Sequence, residues 1–441
     1  MAGSGESATA VADALPIPRV RRSALRLTLG LARAPDRFLE GLSRSHGPAV
    51  GVRLLGFGDT VWITDPECVK SAYANPANLR QGEASAPLLS PLLGEHSVLT
   101  LDGPRHMRQR KLLLAPFHGD AVRAYEQLFE ELTSTEMSGW KVGQRFQLRP
   151  VMQRLTMEAI LMSVLGVADP LERNRLREAT TRLVSLLWMS ALGERFRRDL
   201  GPLSPWGQFV RRRDALDALL YEQISRRRGN GSGNDVLSLL LQSTDENGHG
   251  MSDVELRDEL VTMLLAGHDT TANTLAWCFD LILRHPAVER RLVAEASAGG
   301  RAYTEATITE TLRLRPVVPF TGRIAANDLV LGGYRVPAGT RVWQPALLLQ
   351  RDAEAFPEPL RFDPDRWLDT KAPAFRWIPF GGGIRRCIGA AFAQLEMRVV
   401  LQRILSRAEL HPLDARPERP RLNNVILVPR RGVRVRLAGW R

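Results

Sequence analysis

The sequence predicts a mainly α-helical protein with a small β-lobe, and three observations predict it. From about Gly103 to Arg284 the apolar residues recur mostly at helical spacing. Inside that stretch Ser252 and Glu255 have the S-x-x-E spacing of a capping box. The pattern that follows, Leu256, Leu260, Met263, Leu264, Thr271 and Leu275, runs on to His285–Pro286. A helix of about 30 residues spans about 45 Å, the width of a domain. Later in the chain Leu329–Leu331, Tyr334–Val336 and Thr340–Trp343 are short apolar runs parted by turn residues such as Gly332-Gly333, and they read as strands.

The remaining elements follow in order. Residues 1–20 read as a flexible N-terminus. Ala49–Leu55 and Thr60–Thr64 read as strands around the turn LGFGDT. Residues 82–98 are apolar and interrupted by proline, and read as a long loop of the kind that is functional in compact domains. Gly229–Asp235 (GNGSGND) reads as a surface loop. A helix is expected over about Glu305–Leu314, irregular chain over 353–383, and a last helix from near Cys387 to about Ser406. Val433–Leu437 (VRVRL) alternates like an edge strand. No linker divides the chain, so 21–441 is expected to be one domain.

Composition narrows the function. The chain has 441 residues, 44% of them hydrophobic, enough for a large core, and a net charge of +12. The basic residues are nearly all Arg, with lysine only at positions 70, 111, 141 and 371, and they are scattered. No nucleic-acid-binding signature accompanies them, so no nucleic-acid partner is expected. Three cysteines, Cys68, Cys278 and Cys387, make neither a disulfide framework nor a CxxC knuckle. No apolar run is long enough to span a bilayer and no signal pattern opens the chain, so a cytoplasmic monomer without membrane anchor is expected.

Chemistry concentrates in Phe380–Gly389, FGGGIRRCIG. Three glycines let the backbone turn tightly. Cys387 stands in that turn ahead of a helix, where the helix dipole and backbone N–H groups favour a thiolate. Gly389 lets a flat ligand approach, Phe380 is placed to shield the sulfur from water, and Arg385 to meet an anion on the ligand's edge. A buried structural cysteine is the plain alternative. A phosphate-cradling loop is another, although the GK[ST] ending is missing. The full string F-x-x-G-x-R-x-C-x-G resembles the haem-binding loop of the cytochrome P-450 superfamily. That resemblance implies the family's helical prism fold, haem b as cofactor, and Cys387 as its axial, metal-ligating thiolate.

Three further motifs extend the resemblance over about residues 35–437. Ala266-Gly267-His268-Asp269-Thr270-Thr271 places poor helix formers together, where Thr270 can bond a preceding carbonyl and distort the helix. It is similar to the family's oxygen-activation motif, which implies that Thr270 holds water and Asp269 relays protons. His268 reads as a satisfied histidine rather than a ligand, since no second His stands four residues away. Glu310 and Arg313 share a helix face and match the family's ExxR motif, with Arg366 of FDPDRW as the implied third member of a structural triad. His106 and Arg110 lie one helical turn apart, so both can reach one anion. By resemblance they hold haem propionates, as do Arg323 and Arg385. The segment between Pro286 and Glu310 looks short for the family, so a clipped helix is expected there.

These motifs imply a haem-thiolate monooxygenase that inserts one oxygen atom from O2 into a lipophilic small molecule of terpenoid, fatty acyl or polyketide type. Electrons are expected from a ferredoxin or flavodoxin with its reductase. Arg108, Lys111, Arg376 and Arg386 are the residues expected to meet that partner. Leu88, Leu89, Leu92, Leu93, Met263, Leu264, Ala266, Val317, Val318, Phe320, Val425 and Ile426 are the expected pocket lining. A haem-thiolate peroxygenase or isomerase and a non-catalytic haem sensor stand as alternatives, and the Asp269–Thr270 pair argues against both.

Overall fold

The structure, a computed structural model, describes residues 14–47, 49–117, 119–186, 189, 197–201, 204–230 and 233–441. Helices predominate, and the chain gathers into two compact units. One takes in the described residues up to Ser85, Thr309–Cys387 and Arg419–Arg430. The other takes in Ala86–Ile308, Ile388–Glu418 and Arg431–Arg441.

The first unit holds the β-lobe. Its largest sheet has five strands in the order Ala49–Leu54, Gly58–Ile63, Arg341–Gln344, Thr321–Ala325, Leu79–Arg80. Only the second and third of these pair in parallel. The Ala49–Leu54/Gly58–Ile63 hairpin encloses Trp62, fully buried, which stacks on Trp343 at 5.7 Å and meets Phe320 edge-on at 5.2 Å. Aromatic contacts of this geometry add stability beyond their buried area. Leu15–Pro16 pairs with Tyr334–Arg335, so chain expected to be flexible is strand from Leu15. Residues 1–13 lie outside the described residues.

The second unit is built on the long helix, Asp253–Ile282, whose Ser252–Glu255 capping box is present in both directions, at 3.3 Å and 2.8 Å. It packs along Leu148–Ser163. A Cβ at Gly267 would stand 2.7 Å from Ile160 Cδ1, so glycine is what allows the two helices to approach this closely. The C-terminal helix is Ala390–Arg407, starting three residues beyond Cys387 because Gly383–Arg385 forms a 3-10 turn first.

Several expectations give way here. Residues 81–93 form a helix despite Pro87 and Pro91, because Leu92 and Leu93 are buried in the core and that packing outweighs the local cost of proline. Arg434–Trp440 is the central strand of Ala408–Pro412/Arg434–Trp440/Arg145–Gln147, not an edge. Its alternation reports one buried and one exposed face, which an inner antiparallel strand also has. The loop at 229–235 is narrower than expected, since one helix reaches Asn230 and the next starts at Val236 after the Asp235 cap. The short 286–310 segment still holds a 12-residue helix, Pro286–Ser297, before Ala302–Leu314 begins.

Glu396 sits in the middle of the C-terminal helix at 0% exposure, and neither carboxyl oxygen has a hydrogen-bond partner among the described residues. Burial pushes its pKa well above the ordinary 4.5. The folded state therefore holds a proton that the unfolded state releases, and stability falls as pH rises from about 4.5 towards the raised value. Glu396→Gln removes that loss. Its melting temperature should exceed that of the wild type by a margin that grows between pH 5 and pH 8. A margin independent of pH would show that Glu396 is not held neutral.

Candidate active site

The Cys387 loop is set by its glycines. Gly381 and Gly383 have φ of +68° and +58°, in the left-handed region that favours glycine. A Cβ on Gly382 would come within 3.3 Å of the Tyr73 ring, and one on Gly383 within 3.1 Å of the Tyr73 carbonyl. The loop thus lies directly against Tyr73, a residue no motif pointed to. Cys387 N donates to Phe380 O at 2.8 Å and closes the turn. Phe380 packs edge-on against Trp377 at 6.3 Å. Of the three cysteines, Cys68 and Cys278 are buried and Cys387 is exposed. Around Gly389 nothing lies within 4 Å of a Cβ position, which leaves the approach that a flat ligand needs.

The loop is held from below by buried charge. Glu310 and Arg313 are both fully buried on Ala302–Leu314. Arg313 Nε donates to Glu310 Oε2 at 2.7 Å and Nη2 to Oε1 at 2.8 Å. Arg366 Nε, Asp363 N and Trp367 Nε1 donate to the same carboxylate at 3.2, 3.0 and 2.8 Å. Arg313 also donates to the carbonyls of Gln350, Pro359 and Arg361 at 3.0, 2.7 and 3.0 Å. Gln350 bonds back to Leu312 O at 2.8 Å and accepts from Ile378 N at 3.0 Å, two residues before Phe380. Sequence reasoning found three members of this network. Trp367 was legible as the neighbour of Arg366, whereas Gln350 carries no motif at all.

On the long helix, Met263, Ala266 and Thr270 recur at spacings of three and four, which puts them on one face. That face is accessible, with Ala266 exposed, while most of the helix around it is buried. Thr270 Oγ1 donates to Ala266 O at 2.6 Å and Thr274 Oγ1 to Thr270 O at 2.9 Å, yet the helix stays continuous, so the expected distortion does not reach a break. Asp269 is largely turned into the protein, with 20% of its side chain exposed. Its Oδ1 accepts from Gln153 Nε2 at 2.8 Å and Asn273 Nδ2 at 3.0 Å, with Arg149 Nη2 at 3.7 Å. His268 is buried with Nδ1 2.6 Å from Leu264 O, and burial lowers its pKa. It is satisfied locally, as expected.

Two further basic residues are almost entirely buried. His106, on Gly103–Leu114, is 1% exposed, with Arg110 half-buried one turn on. Arg323, 2% exposed on Thr321–Ala325, holds its guanidinium 4.7 Å from the Tyr73 ring centre. Arg385 is half-buried in the cysteine loop. In the first unit, Cys387, exposed at its glycine turn, with Arg385 half-buried in the same loop and Arg323 taken out of water, is a donor set that suits a flat metal macrocycle carrying carboxylates.

A family model for cytochrome P450 matches residues 24–437. The chain belongs to the cytochrome P450 family. It is 39% identical to the Mycobacterium tuberculosis protein named cytochrome P450 137, over 96% of this chain and 90% of that protein. It is also 39% identical to cytochrome P450 135B1 of Mycobacterium bovis, over 92% and 88%. The solved haem domain of cytochrome P450DA, at 25% identity, covers 97% of this chain and 98% of its own with a TM-score of 0.86. The retinoic-acid-bound cyanobacterial CYP120A1, at 24% identity, shares the fold with a TM-score of 0.85 over 96% and 100%. The protein is thus a P450 monooxygenase, an oxidoreductase whose cofactor is haem with an axial cysteine thiolate. Among the described residues no helix is long and apolar enough to cross a membrane.

The residues expected to line the pocket of this P450 differ in exposure. Leu92, Leu93 and Leu264 are buried members of the second unit's core, and Phe320 is buried against Trp62 and Trp343 in the β-lobe. Val317 and Ile426 are also buried, and the hairpin is fixed beside the first of them by Leu427 N donating to Val317 O at 2.7 Å. Leu88, Leu89, Met263 and Val318 are half-buried, and Ala266 and Val425 exposed, so these keep accessible apolar surface. The basic residues expected to meet a redox partner are mostly engaged within the chain. Arg108 binds Asp245 and Glu255, Lys111 binds Glu246, and Arg376 binds Asp352 and Glu354. Arg386, in the cysteine loop, is exposed.

Arg313→Ala leaves the buried Glu310 carboxylate without its principal partner, which costs about 3–5 kcal/mol. The variant should melt far below the wild type and purify with little haem. A soluble Arg313→Ala protein with full haem content and wild-type melting would show that the network does not hold the loop.

Proposed function

We propose that Cys387 is the axial thiolate of this P450 and that the enzyme inserts one oxygen atom from O2 into a C–H or C=C bond of a lipophilic small molecule. Haem with a thiolate ligand supplies the O–O bond cleavage. His106, Arg110, Arg323 and Arg385 are the groups that bind and orient it through its carboxylates. Leu88, Leu89 and Met263 in the second unit, and Val318 and Val425 in the first, each keep accessible apolar surface, which favours a substrate of terpenoid, fatty acyl or polyketide type.

The observation that carries the reading is the face shared by Ala266 and Thr270, with Asp269 beside it. Cleaving O2 with two electrons consumes protons, and in apolar surroundings a proton has to arrive through a specific hydroxyl. Thr270 Oγ1 both donates and accepts. With its hydrogen on Ala266 O it still accepts from a water, and by releasing that carbonyl it can donate instead. Asp269, next to it, has its carboxylate oriented by Gln153, Asn273 and Arg149. A sensor has no use for such an acid–alcohol pair, and a peroxygenase does not draw on one for a reduced oxidant. Electrons are assigned to a separate ferredoxin or flavodoxin with its reductase.

Thr270→Ala should keep consuming NADPH through partner proteins but release more hydrogen peroxide. Product formed per NADPH should fall by about tenfold, a modest share of the roughly 10²-fold that a positioned proton donor contributes. Peroxide-driven turnover should suffer less. An unchanged product-to-NADPH ratio would place the proton path elsewhere.

A further inference from the structure

Three consecutive charged residues of the long helix, Arg257, Asp258 and Glu259, are buried at 6%, 2% and 0% exposure. Charged side chains are almost never buried unless paired, and pairing explains only part of this run. Arg257 donates to Asp217 Oδ1 and to Asp258 Oδ1, each at 2.7 Å. The other carboxylate oxygens hold backbone from far away in sequence. His96 N donates to Asp258 Oδ2 at 2.9 Å, and Val98 N donates to Glu259 Oε1 at 2.8 Å. Between them Ser97 Oγ lies 2.7 Å from Thr262 Oγ1, which donates to Asp258 O at 2.7 Å. Arg257 also reaches the carbonyls of Leu93 and Leu92 at 3.3 and 3.5 Å, at the end of the helix Gln81–Leu93. Gly94, at φ +89°, completes the approach, because a Cβ there would stand 2.1 Å from the Asp258 carboxylate.

Residues 92–98 are therefore fastened to the long helix by buried carboxyl groups rather than by apolar packing alone. The fastened segment directly follows Leu88 and Leu89. Glu259 lies on the same helix face as Met263, Ala266 and Thr270, at spacings of four, three and four, about 16 Å along the axis from Thr270. We infer that Asp258 and Glu259 are positioning residues that fix residues 94–98 on the long helix, and with them the apolar surface of Leu88 and Leu89, and so set the size of the molecule the enzyme admits. This deepens the haem-monooxygenase reading and rests on it. Burial also pushes the Glu259 carboxyl well above the usual carboxylate range, so glutamine is its closest substitute.

The test uses the haem-loaded enzyme and two azoles that ligate haem iron and shift its absorbance. Imidazole is small, and clotrimazole carries a bulky triaryl group. In Glu259→Ala, amide exchange at Val98 should speed up and clotrimazole should bind about tenfold more weakly, the effect of one lost buried hydrogen bond. Imidazole affinity should stay near wild type, and Glu259→Gln, which keeps an acceptor for Val98 N, should restore both readouts. Thr262→Val cuts the Ser97 contact without touching a charge and should shift the same ratio, so it decides the matter if Glu259→Ala does not fold. An unchanged clotrimazole-to-imidazole ratio in haem-loaded Glu259→Ala, or in Thr262→Val where the first variant fails, overturns the inference. If neither azole shifts the wild-type spectrum, the haem reading itself fails, and Val98 exchange still reports whether the segment is fastened.

Discussion

The arrangement around Cys387 depends on one buried ion pair. Glu310 and Arg313 have no exposed surface, and together they organise a stretch of chain that has almost no regular structure of its own. A buried pair is weak evidence for added stability, because desolvating two charges offsets most of their attraction. What it provides is direction. The carboxylate accepts from Arg313, Asp363 N, Arg366 and Trp367, and the guanidinium donates to three carbonyls between Gln350 and Arg361. Each bond fixes a different point of the irregular segment. Gln350 then carries the constraint to Ile378, and the glycine turn begins two residues later. Cys387, the proposed axial ligand, is in this way held by backbone rather than by a helix or a strand.

The long helix works on a similar principle in the other unit. Its first turns carry buried carboxyl groups that fasten residues 92–98, and its middle carries the small and hydroxylic residues of the Thr270 face. Gly267 is a poor choice for helix stability but a good one for close approach to Ile160. The side chains of Thr270, Asn273 and Thr274 bond carbonyls four residues back, so the helix stays continuous where its composition is least favourable.

Much of this was legible in the sequence, and the failures have a pattern. The capping box, the ExxR helix, the strands near 329–343 and the glycine–cysteine loop were readable because each is a local arrangement of residue types with fixed spacing. The helix over 81–93 was missed because two prolines argued locally against it, while the burial of Leu92 and Leu93 that favours it is tertiary. Arg434–Trp440 was taken for an edge because alternation reports which faces are buried and says nothing of how many neighbours a strand has. Asp269 was recognised, but its partners Gln153 and Arg149 lie more than a hundred residues away in sequence. Tyr73, Gln350 and Glu259 were not singled out, since a buried polar contact between distant segments leaves no periodic trace.

The central claim is that Cys387 is the residue that ligates haem iron. The most direct measurement is the absorbance spectrum of the reduced protein under carbon monoxide, for the wild type and for single replacements of each cysteine. The account predicts the strongly red-shifted Soret band of thiolate ligation in the wild type, in Cys68→Ser and in Cys278→Ser, and its loss in Cys387→His. A Cys387→His protein that binds haem and keeps that band would contradict it.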